Sequence, residues 1–184
     1  MRGKMFTAFL IKYAEIGVKG KNRYIFEEAL VQQIKYAVKR CEGEFKVTRT
    51  QGRIYVEALT EFDFEETVDN LKTVFGISGI CPVIYAEDEG FDKLGQDIVK
   101  YIGEVYPGTD KTFKVNARRA RKNYPLNSME INSRIGEVLL DAYPRMKVDV
   151  HSPDIMLNIE IREKIYIYSE TIQGRLQLLS GKQP

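Results

Sequence analysis

The chain has 184 residues, which suits one large or two small domains, and its 43% apolar and 29% charged residues are ordinary for a globular protein. No uninterrupted apolar run approaches the roughly 18 residues that a membrane-spanning helix needs. Two cysteines and one histidine are too few for a disulfide framework or for a zinc site of the usual Cys/His type, and they suit a reducing compartment.

The first half of the chain predicts six elements. Short apolar stretches and alternating residues predict strands, apolar residues at helical spacing predict helices, and glycines mark the turns. Asn22 has the chemistry of an N-cap for the first helix, and Gln51 with Gly52 is typical of a hairpin turn. In chain order we expect a strand over 5–11, a helix over 23–40, strands over 44–50 and 53–59, a helix over 64–75 and a strand over 80–85. This β-α-β-β-α-β order is the ferredoxin-like arrangement.

The second half predicts a different mixture of helices and strands. Asn127 with Glu130 three residues later resembles a capping box and predicts the start of a helix. Apolar and polar residues alternate over 112–118, so we expect the apolar side chains on one face of a strand and the polar ones on the other. The pattern predicts helices over 91–106 and 127–143 and strands over 112–118, 148–150, 155–161 and 164–169. The fold class expected for the whole chain is α+β.

Charge is distributed unevenly along the chain. The formal net charge is +2, but residues 76–110 hold two basic and seven acidic residues, and residues 111–184 hold thirteen basic and eight acidic. Within 111–122 six of the twelve residues are basic and none is acidic, and the run leads to a predicted helix start, where backbone N–H groups also favour anions. This clustering favours a surface that binds a polyanion, although a solvated strand end has the same composition. Tyr124 beside the run either stacks on a base or packs in the core.

A second basic segment occupies residues 19–23. Gly17 to Gly20 has the G-x-x-G spacing of a KH domain, but in that domain the loop joins two helices and here it follows a strand. The segment also lacks the G-x-x-x-x-G-K-[ST] pattern of a nucleotide-binding P-loop. Lys19, Lys21 and Arg23 at a predicted helix start are candidates for phosphate contacts.

Nucleophilic catalysis finds little support in the sequence. No G-x-S-x-G motif occurs, and His151 precedes Ser152 and Pro153 in a predicted surface turn. Cys41 and Cys81 are expected to be buried thiols without a reactive role.

Two stretches of the chain resemble the THUMP domain. The first joins the basic run to the next helix start, and the second covers the last predicted strands. The matching residues are Thr112-Phe113-Lys114-Val115-Asn116-Ala117-Arg118-Arg119, Lys122, Tyr124-Pro125, Ser128, Glu130-Ile131-Asn132 and Gly136, and later Val148-Asp149-Val150, Pro153-Asp154 and Ile159-Glu160-Ile161-Arg162. A third set resembles the ferredoxin-like domain that precedes THUMP in the tRNA 4-thiouridine synthases, also called thiamine-biosynthesis sulfurtransferases: Tyr13-Ala14-Glu15-Ile16, Lys19-Gly20 and Asn22-Arg23. The resemblance covers about residues 5–174.

The resemblance implies a ferredoxin-like domain over 1–85 packed against an α/β THUMP domain over 86–172. It also implies tRNA binding, because in this family the two domains grip the acceptor arm and the 3′ end. A further ATP-pyrophosphatase domain of the family activates uridine with ATP, and a persulfide-bearing cysteine delivers sulfur. Residues 173–184 resemble the approach to the S-G-G-x-D-S phosphate loop of that domain but lack its second Gly, its Asp and its second Ser. We therefore expect this chain to be non-catalytic by itself, with no cofactor or metal of its own.

The RNA-contacting residues implied by the resemblance form a main patch and a lesser patch. The main patch comprises Lys114, Asn116 and Arg118 on one strand face and Arg119, Arg121 and Lys122 in the following loop, and the lesser patch comprises Lys19, Lys21 and Arg23. Asn132 either contacts the RNA or supports its own helix. Arg162 is either a phosphate ligand or a partner of Glu160 or Glu163. Arg49 and Arg53 flank the hairpin turn as further candidates.

Three functions remain open from the sequence. The chain is the tRNA-binding module of a 4-thiouridine synthase, or it is a stand-alone RNA-binding accessory protein that acts with a sulfurtransferase in trans. In both cases we expect tRNA and a cysteine desulfurase as partners, a cytoplasmic location and no membrane, and a link to thiamine biosynthesis would depend on other domains. The third function is a small hydrolase of the acylphosphatase kind, which would use Arg23 and Asn22 at a phosphate loop.

Overall fold

The computed structural model describes residues 5–13, 21–50, 52–108 and 110–174, except for the side chain of Lys21. Within these residues the chain forms two compact units, one made of 5–83 with 171–174 and the other of 84–170. The domain limits expected from the sequence stay predictions.

Four helices and nine strands make up the described part of the chain. They are β1 (Ala8–Tyr13), α1 (Lys21–Lys39), β2 (Phe45–Thr50), β3 (Arg53–Ala58), α2 (Phe64–Lys72), β4 (Ile77–Ala86), α3 (Phe91–Val105), β5 (Thr112–Arg119), α4 (Ser128–Ala142), β6 (Lys147–Val148), β7 (Ile155–Ile161), β8 (Ile165–Tyr168) and β9 (Ile172–Gln173). The predicted β-α-β-β-α-β order of the first half and the α+β class are confirmed.

The first unit is an antiparallel sheet covered by two helices. Its strand order is β2-β3-β1-β4-β9. Helices α1 and α2 place apolar residues at helical spacing against the sheet, and burial of this apolar surface stabilises the unit. The core contains Leu30, Ile34 and Val38 of α1, Val68 and Leu71 of α2, and Phe9, Ile11, Ile54, Val56, Ile77 and Ile80 of the strands.

Glycine is required at two points of this unit. Gly52 in the β2–β3 turn has a φ of +75°, in the left-handed region that side chains other than glycine avoid. Gly174 follows β9, and a Cβ there would lie 2.2 Å from the carbonyl oxygen of Ile77. The short strand β9, which the sequence analysis did not predict, therefore approaches β4 at a distance that only glycine permits.

The second unit is a mixed sheet with α3 and α4. Its strand order is β4-β8-β7-β5-β6, where β4 contributes only its last residues, Ile84–Ala86. Strand β5 is parallel to both of its neighbours. The predicted capping box at the start of α4 is confirmed, because Asn127 accepts a hydrogen bond from the Glu130 N–H and Glu130 accepts one from the Asn127 N–H. Helix α4 packs on β5 and α3 packs beside α4. The core contains Leu94, Ile98, Ile131, Ile135, Leu139, Phe113, Val115, Leu157, Ile159, Ile161, Ile165 and Ile167.

Several predicted boundaries are wrong. Helix α1 already includes Lys21, so Asn22 lies inside its first turn and cannot have the extended backbone of an N-cap. Strand β4 begins at Ile77, so Cys81 is within the strand and not at its start. Strand β6 has only two residues, because the next residues turn around Asp149, whose carboxylate accepts hydrogen bonds from the N–H groups of His151 and Ser152 at 3.0 Å.

Candidate nucleic-acid interface

Strand β5 carries Lys114, Asn116 and Arg118 of the main patch on one face. Its residues alternate between buried apolar side chains and half-exposed or exposed polar ones, as the sequence predicts. Strand β7 runs parallel to it and places Asn158 beside Asn116, whose Nδ2 donates to Asn158 Oδ1 at 3.0 Å. The same register places Glu160 beside Arg118. The polar face therefore continues from β5 onto β7.

Three cations of the main patch keep their charge available. Lys114 and Arg118 lie on the β5 face, and Lys122 is exposed in the loop after it. Among the described residues, the side-chain nitrogens of these three cations have no hydrogen-bond or ion-pair partner. Uncompensated cations at this spacing attract an anion with repeating charges.

The loop after β5 is held by the backbone and by Arg119. The Ala120 and Arg121 N–H groups both donate to the carbonyl oxygen of Ile161, at 2.9 and 3.0 Å. Arg119 Nη1 donates to the carbonyl oxygens of Lys122 and Tyr124, both at 3.3 Å. Arg119, predicted to lie in the loop, is the last residue of β5, and from there it fixes the loop that presents Lys122.

Arg121 makes directed contacts with three protein groups. Its Nε donates to the carbonyl oxygen of Arg162 at 2.8 Å, and its Nη1 donates to Asn123 Oδ1 at 3.1 Å. Its Nη2 lies 2.5 Å from Asp88 Oδ2, and both side chains are about a quarter exposed. This ion pair joins the segment before α3 to the basic loop and neutralises the Arg121 charge.

Tyr124 is a core residue. The residue is only 4% exposed, and the Arg121 guanidinium carbon lies 6.0 Å from the centroid of its ring. The hydroxyl is buried without a hydrogen-bond partner in the described part of the chain. Burial, followed by the nearby charge of Asp88, raises the pKa of Tyr124. Of the two roles open from the sequence, packing is the one that the structure supports.

Asn132 and Arg162 both have structural partners. Asn132 Oδ1 accepts a hydrogen bond from the Ala117 N–H at 2.8 Å, which ties α4 to β5. Arg162 Nε donates to Glu160 Oε1 at 3.1 Å, so the expected pairing with Glu160 is observed. Glu160 is only 3% exposed and also accepts a hydrogen bond from the Tyr168 hydroxyl.

Tyr85, Tyr166 and Lys164 form an aromatic and cationic group beside Arg162 that the sequence did not predict. Tyr166 of β8 and Tyr85 of β4 stack with centroids 4.5 Å apart. The Arg162 guanidinium carbon lies 5.5 Å from the Tyr166 ring and Lys164 Nζ lies 5.6 Å from the Tyr85 ring. Alternation over 165–168 was a signal for Tyr166, since it separates the two buried isoleucines. Its pairing with Tyr85 depends on the β4–β8 register.

In the first unit, the structure describes only part of the lesser patch. Lys19 and the side chain of Lys21 lie outside the described residues. Arg23 Nε lies 3.5 Å from Glu27 Oε2, and Arg49 Nη1 lies 3.3 Å from Glu27 Oε1. The Tyr13 hydroxyl also donates to Glu27. We call Tyr13, Arg23, Glu27 and Arg49 the Glu27 cluster.

At neutral pH the Glu27 cluster combines two guanidinium groups with one carboxylate, so positive charge remains in excess. Glu27 is 6% exposed, and burial opposes its charge. The Tyr13 hydroxyl and the two arginines outweigh burial and hold the pKa of Glu27 below its ordinary value. The Arg49 guanidinium also covers the Tyr24 ring at 4.2 Å. The cluster joins the end of β1, the start of α1 and the β2–β3 hairpin.

The remaining candidates form no reactive site in the described residues. His151 is exposed in a surface turn, as predicted. Cys41 and Cys81 are buried, and burial raises the pKa of both thiols. The described residues include no group of three His, Cys, Asp or Glu side chains suited to a metal ion. They also include no helix that is long and apolar enough to cross a membrane.

Each of the two units matches a known protein family. The family described as the ThiI ferredoxin-like domain matches residues 8–81, and the THUMP domain matches residues 89–170. A ferredoxin-like unit followed by a THUMP unit with a basic strand face therefore defines the class of this chain. The chain carries the domains of these two families and is similar to the N-terminal part of proteins called tRNA sulfurtransferases.

The relatives are closely similar over most of this chain. The probable tRNA sulfurtransferase of Lachnospira eligens is 58% identical over 171 residues, which are 92% of this chain and 44% of the relative. Among solved structures, a 4-thiouridine synthetase in complex with RNA and bound ATP is 32% identical with a TM-score of 0.72, over 92% of this chain and 42% of that one. The structure of a Pyrococcus horikoshii protein is 34% identical with a TM-score of 0.71, over 91% of this chain and 55% of that one. The chain thus spans less than half the length of the curated relatives it matches.

Proposed function

We propose that this chain is the tRNA-binding part of a tRNA sulfurtransferase and holds the acceptor stem and the 3′ end of the tRNA. The observation that carries the proposal is the polar face of β5, where Lys114 and Arg118, with Lys122 in the next loop, have no ion-pair partner among the described residues. The relationship to proteins called tRNA sulfurtransferases, and to a 4-thiouridine synthetase solved with RNA, supports tRNA as the polyanion.

The residues of the main patch have different roles in this proposal. Lys114, Arg118 and Lys122 bind phosphates directly, because their charges are available. Asn116 offers its amide to phosphate or 2′-hydroxyl groups. Arg119 and Arg121 are positioning residues, since their guanidinium groups hold the loop through the contacts described above.

The remaining candidates make weaker contributions. Arg162 adds positive charge at the edge of the main patch while it pairs with Glu160, and Asn132 supports β5 from α4. Lys19, Lys21 and Arg23 form a second contact on the first unit.

The bound element is recognised through its shape. An A-form stem has a deep and narrow major groove that hides its base edges, so phosphates and 2′-hydroxyl groups position it. An unpaired 3′ end offers bases that stack and edges that form hydrogen bonds. Cations along a strand and in the loop beyond it suit a regularly spaced phosphate backbone.

The rest of the family's chemistry belongs to the proposal as well. Uridine thiolation with ATP would take place in a catalytic domain beyond the two described units, with sulfur supplied by a cysteine desulfurase in the cytoplasm. A contribution to thiamine biosynthesis would depend on the same additional parts. This chain would present the tRNA and perform no chemical step itself.

A salt series with labelled tRNA tests the proposal. The variant Lys114→Ala/Arg118→Ala/Lys122→Ala removes three phosphate contacts. Each contact contributes about 0.7 to 0.9 to the slope of log affinity against log salt, so the slope should become less steep by about 2 to 3. Fluorescence anisotropy at several salt concentrations measures it.

The matched control is Lys72→Ala/Lys100→Ala/Arg134→Ala, which removes the same charges from other elements. It should leave the slope close to that of the unaltered chain. Equal slopes for the two variants would contradict the β5 face as the binding site. A loss confined to Lys19→Ala/Arg23→Ala would move the site to the lesser patch.

A further inference from the structure

The outer edge of the first sheet is available for pairing. Strand β2 is the last strand of this sheet and pairs only with β3 among the described strands. The Leu59 N–H donates to the carbonyl oxygen of Glu44, and hydrogen-bonded pairs recur at every second residue of an antiparallel ladder. Thus Lys46, Thr48 and Thr50 point their backbone groups at β3, and Phe45, Val47 and Arg49 point theirs outward.

An apolar groove runs beside this edge. It lies between the C-terminal half of α1 and β2, and Val38, Phe45, Val47 and Leu59 provide its apolar lining. Leu59 is 55% exposed, although it is a large aliphatic side chain. Open apolar surface beside outward backbone N–H and C=O groups is the arrangement to which an extended peptide adds a strand.

The rim of the groove is basic. Lys35 and Lys39 of α1 and Lys46 of β2 line it, and Glu44 is the one acidic residue there among the described residues. The described residues supply no ion-pair or hydrogen-bond partner for the side chain of any of these three lysines. A ligand that occupies the groove therefore gains from carrying negative charge.

We propose that the β2 edge and this groove bind an extended acidic segment of a partner protein, which pairs with β2 as an additional strand. Its backbone exchanges hydrogen bonds with Phe45 and Val47. Apolar side chains at alternate positions pack against Phe45 and Leu59, and acidic side chains reach the three lysines. This inference is independent of the RNA surface on the second unit.

The observations favour a peptide over two other occupants. RNA phosphates would use the lysines but would leave the backbone edge and the apolar lining without partners. A second copy of this chain, paired through β2, would bring its own Lys46 to the same edge and would add no acidic strand to balance the three lysines. Lysine on an edge strand discourages such self-pairing and attracts an acidic strand.

The first experiment uses the full chain and a fluorescein-labelled peptide of four Val-Glu repeats. Anisotropy should show saturable binding, and the same peptide with Lys in place of Glu should bind at least about tenfold more weakly. Lys35→Glu/Lys39→Glu/Lys46→Glu should weaken the Val-Glu peptide by about tenfold or more. The control Lys72→Glu/Lys100→Glu/Lys147→Glu changes the net charge equally and should have a much smaller effect.

The variant Val47→Pro tests backbone pairing with β2 without changing the charge of the groove. Of the backbone hydrogen-bonding groups, proline removes only the outward N–H at this position, and edge strands tolerate it. It should weaken the Val-Glu peptide while circular dichroism stays unchanged.

Three results would overturn the proposal. One is equal binding by the charge-reversal variant and its control. Another is self-association of the chain that Val47→Pro abolishes, which would assign the edge to a second copy. The last is no peptide binding together with a larger loss of tRNA affinity in the Lys35/Lys39/Lys46 variant than in the control, which would assign the lysines to RNA.

Discussion

In the proposed RNA-binding surface, Arg121 is a basic residue whose guanidinium group is already held by the protein. Its three guanidinium nitrogens each have a protein partner, and Asp88 is the charged one. Removal of an acidic charge ordinarily strengthens the binding of RNA, because it lowers the repulsion of phosphates. If Asp88 positions the loop, its removal weakens binding instead.

We therefore expect Asp88→Asn to lower tRNA affinity on the order of fivefold, the equivalent of about 1 kcal/mol, despite the gain in net charge. Glu89→Gln is the matched control, since it removes an adjacent exposed carboxylate and should leave affinity unchanged or slightly higher. Anisotropy at fixed salt compares the two. An increase in affinity for Asp88→Asn would rule out the positioning role.

The charge of Glu27 is expected to stabilise the folded chain. Its pKa is held below the ordinary value in the folded chain, so folding gains from its charge above pH 4.5 and loses that gain as the pH falls through the folded-state pKa. We expect Glu27→Gln to cost about 1–3 kcal/mol near pH 7, because two arginines and the Tyr13 hydroxyl lose a charged partner. Urea unfolding followed by circular dichroism at pH 7 and pH 4 should show a smaller loss of stability on acidification in the variant.

Glu28→Gln is the control for this prediction. Glu28 is next in the chain, its side chain is about half exposed and its carboxylate lies 3.9 Å from Arg49. Its replacement should cost much less than that of Glu27. Equal costs at pH 7, or an unchanged acid sensitivity in Glu27→Gln, would argue against the Glu27 cluster as a stabilising unit.

At the scale of the elements, β5 and α4 depend on one another. The strand presents the cations, and Asn132 of α4 accepts the Ala117 N–H of the strand. The capping box satisfies N–H groups that the first turn of a helix leaves without intrahelical partners. The orientation of the basic face therefore depends on how α4 begins.

Asn127→Ala removes the N-cap side chain and should cost about 0.5–2 kcal/mol of stability. Asn127→Ser keeps a capping oxygen and should retain most of it. Thermal or urea unfolding measures both variants. The same loss in both would show that the cap contributes little.

On the scale of the whole molecule, the segregation of charge matters more than its total. The second unit, residues 84–170, holds thirteen basic and fifteen acidic residues and is slightly acidic overall. Six of those basic residues fall within 111–122, where no acid occurs. A polyanion responds to this local field, because charges beyond about 8–10 Å are screened at physiological salt.

The sequence by itself determined the elements and their faces. Hydrophobic periodicity is local, so it located the helices, most strands and the alternation along β5. The capping box at Asn127 is local as well, because it depends only on Asn127 and Glu130 three residues later. The resemblance of its motifs indicated the two domains that the family comparison matches. The sequence pattern did not give the correct start of α1, and it did not predict β9. The two residues of β9 carry too little periodicity and form a strand only because β4 is beside them.

Only the tertiary structure decided which cations are available. Asp88 and Arg121 are 33 residues apart, and the amides of Asn116 and Asn158 are 42 apart. No local pattern encodes such contacts, because they depend on strand order and register. For the same reason the burial of Tyr124, the capture of Arg23 and Arg49 by Glu27 and the open edge of β2 become visible only when the chain is folded.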